Sequence, residues 1–241
     1  MHKVACVTGA DRGLGFELTK LLLKQGYTVF AGRFLSDWDW LDRAVPEYDG
    51  RLIPVELDVS DDESVKFAAK LIAGQTDKLD LLINNAGIGG GKDDEIFGDM
   101  HFDTMMKLYN VNALGPLRMV NALSGLLLAG EEKLLVNISS EAGQINQTWR
   151  EGWYGYCMSK AALNVQSNIV HNQLKSKGGR VLVIHPGWMK SYMSGKLNEN
   201  ADISTAESAG HIMNTIRQYL NSGEISQHPA FLDYKGEVMS W

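Results

Sequence analysis

The sequence predicts an α/β fold in which helices cover both faces of a parallel β-sheet. Strand-like and helix-like segments alternate along nearly all of the 241 residues, which is typical of parallel strands joined by helices. The strand-like runs, such as KVACV at 3–7 and RVLVI at 180–184, are largely apolar, as in a sheet buried on both sides. A glycine-rich stretch, VTGADRGLG at 7–15, joins the first strand to the first helix.

Each element is predicted from local pattern and from the residues that stop it. Strands are predicted at 3–7, 27–32, 51–59, 79–87, 133–139 and 180–187. The segment 230–241 closes the chain, with a turn at YKG. Helices are predicted at about 14–25, 102–129, 154–176 and 205–221, from apolar residues at helical spacing. The elements together predict a doubly wound sheet of about seven strands. The chain has no proline- or serine-rich linker, so 1–241 is expected to form one domain.

Two helices have clear boundary signals. The first places apolar residues on one face and is stopped by glycine: Leu14, Leu18, Leu21, Leu22 and Gly26. A further helix is expected to begin near 61, capped by Ser60 with Glu63 three residues on.

Composition excludes several classes of function. The chain is 44% hydrophobic and 22% charged, as in soluble globular proteins, and its net charge of −6 makes a nucleic-acid partner unexpected. Its apolar runs fall short of a membrane span, and its start does not resemble a secretory signal. Cys6 and Cys157 form no ligand pattern, so we expect no metal site and free thiols in a reducing, cytoplasmic compartment.

The glycine-rich loop predicts a dinucleotide site. Gly9, Gly13 and Gly15 permit a tight turn and close approach of the backbone to a pyrophosphate, which then faces a helix N-terminus. The alternative is a purely structural turn. The position of the loop between the first strand and the first helix favours the binding site.

Further motifs follow in a fixed order along the chain. They are TGADRGLG at 8–15, NNAG at 84–87, Asn112 in VNALG, NISS at 137–140, Tyr156 with Lys160, and HPG at 185–187. In this order and over nearly the whole chain they resemble the short-chain dehydrogenase/reductase family, in its single-domain, carbonyl-reductase-like branch. The resemblance implies a Rossmann-type fold, hydride transfer between a nicotinamide cofactor and a small carbonyl or alcohol, and a homo-oligomer, although some relatives are monomers.

The same resemblance implies the cofactor-binding residues. They are Thr8, Gly9, Arg12, Gly13, Leu14, Gly15, Arg33, Asp58, Val59, Asn85, Ala86, Gly87, Tyr156, Lys160, Pro186, Gly187, Met189 and Ser191. Arg33 stands after the second strand, where an acidic residue would favour NAD, and Arg12 lies in the glycine loop. Two guanidiniums can clamp a 2′-phosphate, which favours NADP over NAD. Asp37 and Asp39 lie close by and keep NAD open.

The catalytic residues implied by the family are Asn112, Ser140, Tyr156 and Lys160. A free tyrosine, with a pKa of about 10, is a poor acid/base at neutral pH, and a positive neighbour would lower that pKa. Lys160 lies four residues after Tyr156, on the same helical face, whereas Tyr154 does not share that face and is assigned to the pocket wall. By resemblance, Lys160 also binds the nicotinamide ribose, and Asn112 holds a water at a distortion of its helix.

Neighbouring serines pose the same choice as the neighbouring tyrosines. The family usually uses the second, Ser140, to donate to the substrate carbonyl, and Ser139 should then point to the other side. The stretch between Ser140 and Tyr156 is longer than the family commonly shows, which predicts a longer loop beside the substrate. His185 is expected to be structural.

The substrate itself is not predicted. Residues 188–205 read as a mobile flap over it, and four large side chains suggest an apolar or aromatic pocket: Trp149, Trp153, Trp188 and Met193. Two alternatives remain open at this stage. One is a dinucleotide-binding regulatory or signalling protein without significant catalysis, and the other is the same enzyme using NAD.

Overall fold

A computed structural model of the chain describes residues 2–90, 94–193, 195–223 and 226–241. Seven parallel strands form one sheet in the order β3-β2-β1-β4-β5-β6-β9. These strands are β1 Val4–Val7, β2 Thr28–Arg33, β3 Leu52–Glu56, β4 Leu81–Asn84, β5 Leu134–Ile138, β6 Arg180–His185 and β9 Ala230–Asp233. Two short strands, β7 Met189–Lys190 and β8 Ile203–Ser204, pair separately. The predicted doubly wound sheet is confirmed.

Helices cover both faces of the sheet. They are α1 Gly13–Lys24, α2 Trp40–Ala44, α3 Asp62–Ala73, α4 Phe102–Tyr109, α5 Gly115–Ala129, α6 Tyr154–Leu174 and α7 Thr205–Asn221. Helices α1 and α7 pack together on one face, while α3, α5 and α6 cover the other. Because side chains alternate along a strand, Ala5 and Val7 of β1 enter the first core, and Val4 and Cys6 enter the second.

Two local features differ from the sequence prediction, and a third, a helix distortion around Asn112, was expected from the resemblance. The N-cap of α3 is Asp61, whose carboxylate accepts from the backbone N–H of Ser64, so the predicted Ser60 cap is wrong. The hydroxyl of Ser60 instead donates to Asp58. The predicted helix at 102–129 is interrupted by a π-helical turn at Asn110–Leu114, and α2 with the 3₁₀ turn Val45–Tyr48 was not predicted.

The stretch Phe102–Ala129 is long and apolar enough, by length and composition, to cross a membrane. Part of this stretch, 44% of its most apolar segment, is buried within the fold. Met119, Leu123 and Leu127 of α5 are fully buried in the second core, where α5 packs on α3, β4 and β5. A core helix of a soluble protein has the same character.

Candidate active site

The ends of β1 and β4 meet at the point where the strand order reverses. β1 continues to β2 and β3 on one side of the sheet, while β4 and β5 lie on the other. Thr8 Oγ1 accepts from the backbone N–H groups of Asn85 and Ala86 at 3.0 and 2.9 Å. Asn85 Nδ2 donates to the carbonyls of Thr8 and Gly9 at 2.9 and 3.0 Å. These bonds fix the crevice in which open α/β sheets bind nucleotides.

The glycine loop is shaped for close backbone contact. Gly13 has φ of +57°, which favours glycine, and a Cβ there would meet nothing within 4 Å. A Cβ on Gly15 would lie 2.2 Å from the carbonyl oxygen of Gly9, so only glycine fits. Leu14 anchors the loop in the core, and the side chain of the N-cap residue of α1, Arg12, makes no capping hydrogen bond. The open turn and the uncapped helix N-terminus fit a pyrophosphate.

The two arginines predicted near the adenosine ribose lie in different environments. Arg33 donates to Glu56 from Nε and NH2 at 2.9 and 2.5 Å, and to Asp42 from NH1 at 2.8–2.9 Å. The guanidinium of Arg12 lies 5.0 Å from the ring centre of Trp38. Asp42 and Glu56, which sequence analysis missed, therefore bind the Arg33 guanidinium, the group that was expected to bind the 2′-phosphate. Glu56 is the register partner of Arg33 on the neighbouring strand, a signal that only the pairing reveals.

The predicted adenine-binding pair lies at the end of β3. Asp58 accepts from the backbone N–H and the hydroxyl of Ser60 at 2.8 and 2.7 Å. Val59 is buried against Gly115, the first residue of α5, where a Cβ would approach the Val59 side chain to 2.8 Å. Among the described residues, neither Asp37 nor Asp39 forms an ion pair with Arg33. Asp39 instead pairs with Arg43 at 2.6 Å.

Tyr156 and Lys160 project from the first turns of α6. Lys160 Nζ lies 5.9 Å from the ring centre of Tyr156 and donates to the carbonyl of Ile138 at 2.9 Å. Burial lowers the pKa of Lys160 to about 8. Burial of the phenol raises the pKa of Tyr156 to about 12, against a lowering hydrogen bond with Ser140. The net shift of the phenol pKa in this chain is therefore upward, opposite to the lowering expected from a positive neighbour.

Asn112 lies on the π-helical turn, at the helix distortion that the resemblance implied. Its Oδ1 accepts from the backbone N–H of Ile88 at 2.9 Å, and its Nδ2 donates to the carbonyl of Ile88 at 2.9 Å and to Ser159 at 3.1 Å. Gly87 lies between Asn112 and Lys160, since a Cβ on it would be 3.3 Å from Asn112 Oδ1 and 3.7 Å from Lys160 Nζ. The π turn therefore holds Asn112 beside the lysine.

The two serines contact different side chains, but Asn164 and Tyr156, which they approach, both belong to α6. Ser139 is buried and donates to Asn164 Oδ1 at 2.7 Å. Ser140 lies close enough to Tyr156 to act against the rise in the pKa of the phenol, although its hydroxyl donates to Glu141 Oε2 in this structure. The structure thus places Ser140 with Tyr156 and Ser139 in the packing against α6.

A carboxylate that sequence analysis did not single out adjoins Ser140. Ser140 Oγ donates to Glu141 Oε2 at 2.5 Å and accepts from the backbone N–H of Ala142 at 3.1 Å. Arg150 donates to Glu141 Oε1 at 2.8 Å. Burial alone would raise the pKa of Glu141, but the bond from Ser140, the charge of Arg150 and a backbone hydrogen bond from Ala142 bring it below its ordinary value. Glu141 is therefore ionised beside the reacting groups.

His185 supports this corner. Its Nδ1 accepts from the backbone N–H of Glu141 at 3.2 Å, and burial lowers its pKa. A neutral ring that holds the backbone of Glu141 agrees with the predicted structural role.

The longer loop before α6 is built around one guanidinium. Arg150 lies 4.4 Å from the ring centre of Trp149 and 5.2 Å from that of Trp153. Trp153 in turn packs edge-on against Tyr156, with ring centres 5.7 Å apart. Tyr154, half-buried, begins α6. The loop thus brings an aromatic wall and a fixed charge to the side of Tyr156.

The predicted nicotinamide stretch follows β6. The carbonyl of Pro186 accepts from Ser208 at 2.7 Å, and Gly187 leads into β7, which contains Met189. The carbonyl of Ser191 accepts from the backbone N–H of Asn198 at 3.0 Å. The first bond joins the start of the stretch to α7, and the second joins its end to the segment that precedes α7.

Residues 188–205, the predicted flap, are closed at their base by β7 and β8. The ring of Tyr192 lies 4.9 Å from that of Trp38, near the cofactor crevice, and Trp188 is exposed. Met193 lies over Gly89, where a Cβ would be 3.3 Å from it. Residue 194 lies outside the described residues. Within the described part of the chain, no group of three or more acidic, histidine or cysteine side chains is arranged to hold a metal ion.

Comparisons with known proteins agree with this geometry. The sequence profile of the family described as short chain dehydrogenase matches residues 3–202. The chain is 31% identical to the C-signal of Myxococcus xanthus over 69% of this chain and 95% of that protein. It is 31% identical to (+)-neomenthol dehydrogenase of Arabidopsis thaliana, over 84% and 75% of the two chains. The solved structure of an NADPH-bound carbonyl reductase from chicken fatty liver superposes with a TM-score of 0.86 at 28% identity, covering 99% of each chain. The chain belongs to the short-chain dehydrogenase family of oxidoreductases.

Proposed function

We propose that this chain is an NADP(H)-dependent oxidoreductase that interconverts a carbonyl and an alcohol, with Tyr156 as the general acid/base. The observation that carries the proposal is the meeting of Tyr156, Ser140 and Lys160 at the carboxyl end of β5, next to the glycine loop. The NADPH-bound carbonyl reductase and the neomenthol dehydrogenase support the same reaction class.

The residues divide the work as follows. The cofactor, when bound, supplies the hydride. The open start of α1 and the turn at Gly13 bind its pyrophosphate. Tyr156 is protonated at neutral pH and donates its proton to the carbonyl oxygen, while the Ser140 hydroxyl polarises that oxygen. The buried Lys160 places a positive charge beside the phenolate that results.

Cofactor choice is carried by Arg33 and Arg12. The carboxylates that hold Arg33 belong to Asp42 and Glu56, whose side chains are largely exposed. Exposed ion pairs contribute about 0–1 kcal/mol, so a 2′-phosphate with about two negative charges competes well for the guanidinium. Arg12, stacked on Trp38, supplies the second contact.

Cofactor binding tests this part of the proposal. Arg33→Ala is expected to weaken NADPH binding at least about tenfold while leaving NADH binding nearly unchanged. Arg43→Ala, which removes the neighbouring ion pair with Asp39, is the matched control and should change neither. Equal affinity of the wild-type protein for the two cofactors would favour the NAD alternative.

Turnover tests the reaction. Tyr156→Phe should retain NADPH binding and lose carbonyl reduction by a factor of at least about 10². Tyr154→Phe removes a hydroxyl two residues away and should keep most of the activity. Full activity of Tyr156→Phe would exclude the assigned acid.

A signalling function is the second candidate, because the C-signal matches over 95% of its own length. Tight NADPH binding by the wild-type protein, with no turnover across a panel of aldehydes, ketones and alcohols, would favour it over the enzyme.

A homo-oligomer is also proposed. Helices α4 and α6 pack against each other and leave apolar side chains exposed along neighbouring faces: Phe102, Met106, Tyr109, Met158, Val165 and Ile169. Such a surface on two adjacent helices is characteristic of an interface. Sedimentation should show a dimer or tetramer that Ile169→Glu dissociates. A monomeric wild-type protein would refute this.

The two free thiols keep the cytoplasm as the expected compartment.

A further inference from the structure

The Glu141 carboxylate and the Ser140 hydroxyl form an adjacent acceptor and donor in the active site. Their oxygens lie 2.5 Å apart, and Arg150 holds the other oxygen of Glu141 at 2.8 Å. The guanidinium of Arg150 is itself fixed by the indole of Trp149 and by Gln147, which accepts from its Nε at 2.8 Å. The carboxylate is thus fixed from behind, with Oε2 turned toward the serine.

This arrangement creates a competition for one hydrogen. A serine hydroxyl has a single hydrogen to donate, and in the structure Ser140 directs it to Glu141. The proposed function requires that hydrogen for the substrate carbonyl. To bind Ser140, a substrate carbonyl without a neighbouring donor must break the hydrogen bond from Ser140 to Glu141. The ionised carboxylate of Glu141 then loses one of its hydrogen bonds.

We propose that the site selects carbonyl compounds with a hydroxyl or amino group on the carbon next to the carbonyl, and that Glu141 is the residue that recognises this group. The inference rests on the proposed function. The substrate donor binds Glu141 Oε2 in place of Ser140, and the released Ser140 hydroxyl binds the substrate carbonyl. In the substrate, the hydroxyl or amino donor lies next to the carbonyl acceptor. In the site, the Glu141 acceptor lies next to the Ser140 donor, so the two pairs are complementary. In the alcohol direction the same argument selects vicinal diols and amino alcohols.

The charge of Glu141 adds a second discrimination. A substrate carboxylate next to the carbonyl would face the ionised Glu141. Two neighbouring negative charges repel each other strongly in a partly buried site such as this one. The aromatic rings of Trp149 and Trp153, stacked on Arg150, suit an aromatic group on the far side of the carbonyl.

Three ketones matched in their aromatic part test the inference. They are 2-hydroxyacetophenone, 2-methoxyacetophenone, in which the donor is removed but the oxygen kept, and benzoylformate, which carries a carboxylate. The wild-type protein with NADPH should reduce the hydroxy ketone with a kcat/KM at least about tenfold above that of the methoxy ketone, and benzoylformate least well.

Variants identify the residue responsible. Glu141→Ala should bring the ratio between the hydroxy and methoxy ketones close to one. Glu141→Gln, closest in shape and the safer variant for folding, should reduce that ratio and raise the relative rate with benzoylformate. Glu151→Gln removes a charge from an exposed position of the same loop and should leave both ratios unchanged.

The outcomes separate the two proposals. A wild-type ratio near one, or an unchanged ratio in both Glu141 variants, overturns the role of Glu141 while leaving the oxidoreductase intact. No reduction of any of the three ketones or of simple aldehydes by wild-type protein that binds NADPH overturns the proposed function, and the inference with it.

Discussion

Thr8 offers a direct test of how the cofactor crevice is held together. Its side chain is almost fully buried, and its Oγ1 accepts from the backbone N–H groups of Asn85 and Ala86. Thr8→Val keeps the shape and removes the oxygen. It thereby leaves two N–H groups without their partner at the junction of β1 and β4.

The magnitude follows from those two bonds. A buried donor deprived of its partner costs about 1–3 kcal/mol, so the loss of both bonds in Thr8→Val should lower the free energy of unfolding by about 2–6 kcal/mol. Urea denaturation measures this as a lower midpoint with little change in slope. Thr8→Ser keeps the acceptor oxygen and should lose markedly less stability.

Thr19→Val is the matched control. Thr19 is also fully buried, but its hydroxyl donates to the carbonyl of Gly15 within α1, so valine there orphans no N–H group. Its expected cost is about 1 kcal/mol or less. The reasoning fails if Thr8→Val loses less than about 1 kcal/mol, or if the two valine variants are equally destabilised.

Two further predictions follow from burial. Because burial lowers the pKa of Lys160 to about 8, the folded protein binds fewer protons than the unfolded chain between that pH and the ordinary lysine pKa. Wild-type stability should therefore rise with pH over this window relative to Lys160→Met, as denaturation at pH 8 and 10 would measure, and parallel curves would contradict it. Burial also raises the pKa of Cys6 to about 12 and that of Cys157 above its ordinary value, so both thiols should react slowly with a thiol reagent at pH 8 in the native protein and rapidly in urea.

The sequence predicted the frame of the molecule better than its hydrogen bonds. The order of strands and helices rests on short-range periodicity of apolar residues, and the structure confirms that order. The N-cap of α3 was predicted wrongly. Ser60 and Asp61 are both good caps, and the sequence does not say whether the hydroxyl or the carboxylate accepts from the helix backbone.

Contacts across the sheet and between loops were beyond sequence analysis. Arg33 and Glu56 are 23 positions apart and meet only through the register of β2 and β3. Glu141 and Arg150 meet only when the longer loop folds back over the end of β5. Each of these ionic contacts changes the chemistry expected at a predicted site residue, Arg33 in the first case and Ser140, the neighbour of Glu141, in the second, since a motif gives a position and leaves its partners open.

Under the proposed function, the ionisation of Tyr156 makes the balance between reduction and oxidation depend on pH. Reduction needs a phenol that can donate a proton, and a Tyr156 with a pKa of about 12 is protonated at every physiological pH. Oxidation of an alcohol needs the phenolate, which burial and the nearby charge of Glu141 both disfavour. Lys160, with its own pKa lowered to about 8, loses part of its charge at mildly alkaline pH. If Tyr156 is the acid/base of the proposed function, the rate of alcohol oxidation relative to carbonyl reduction should therefore rise with pH, and a ratio independent of pH would contradict this reasoning.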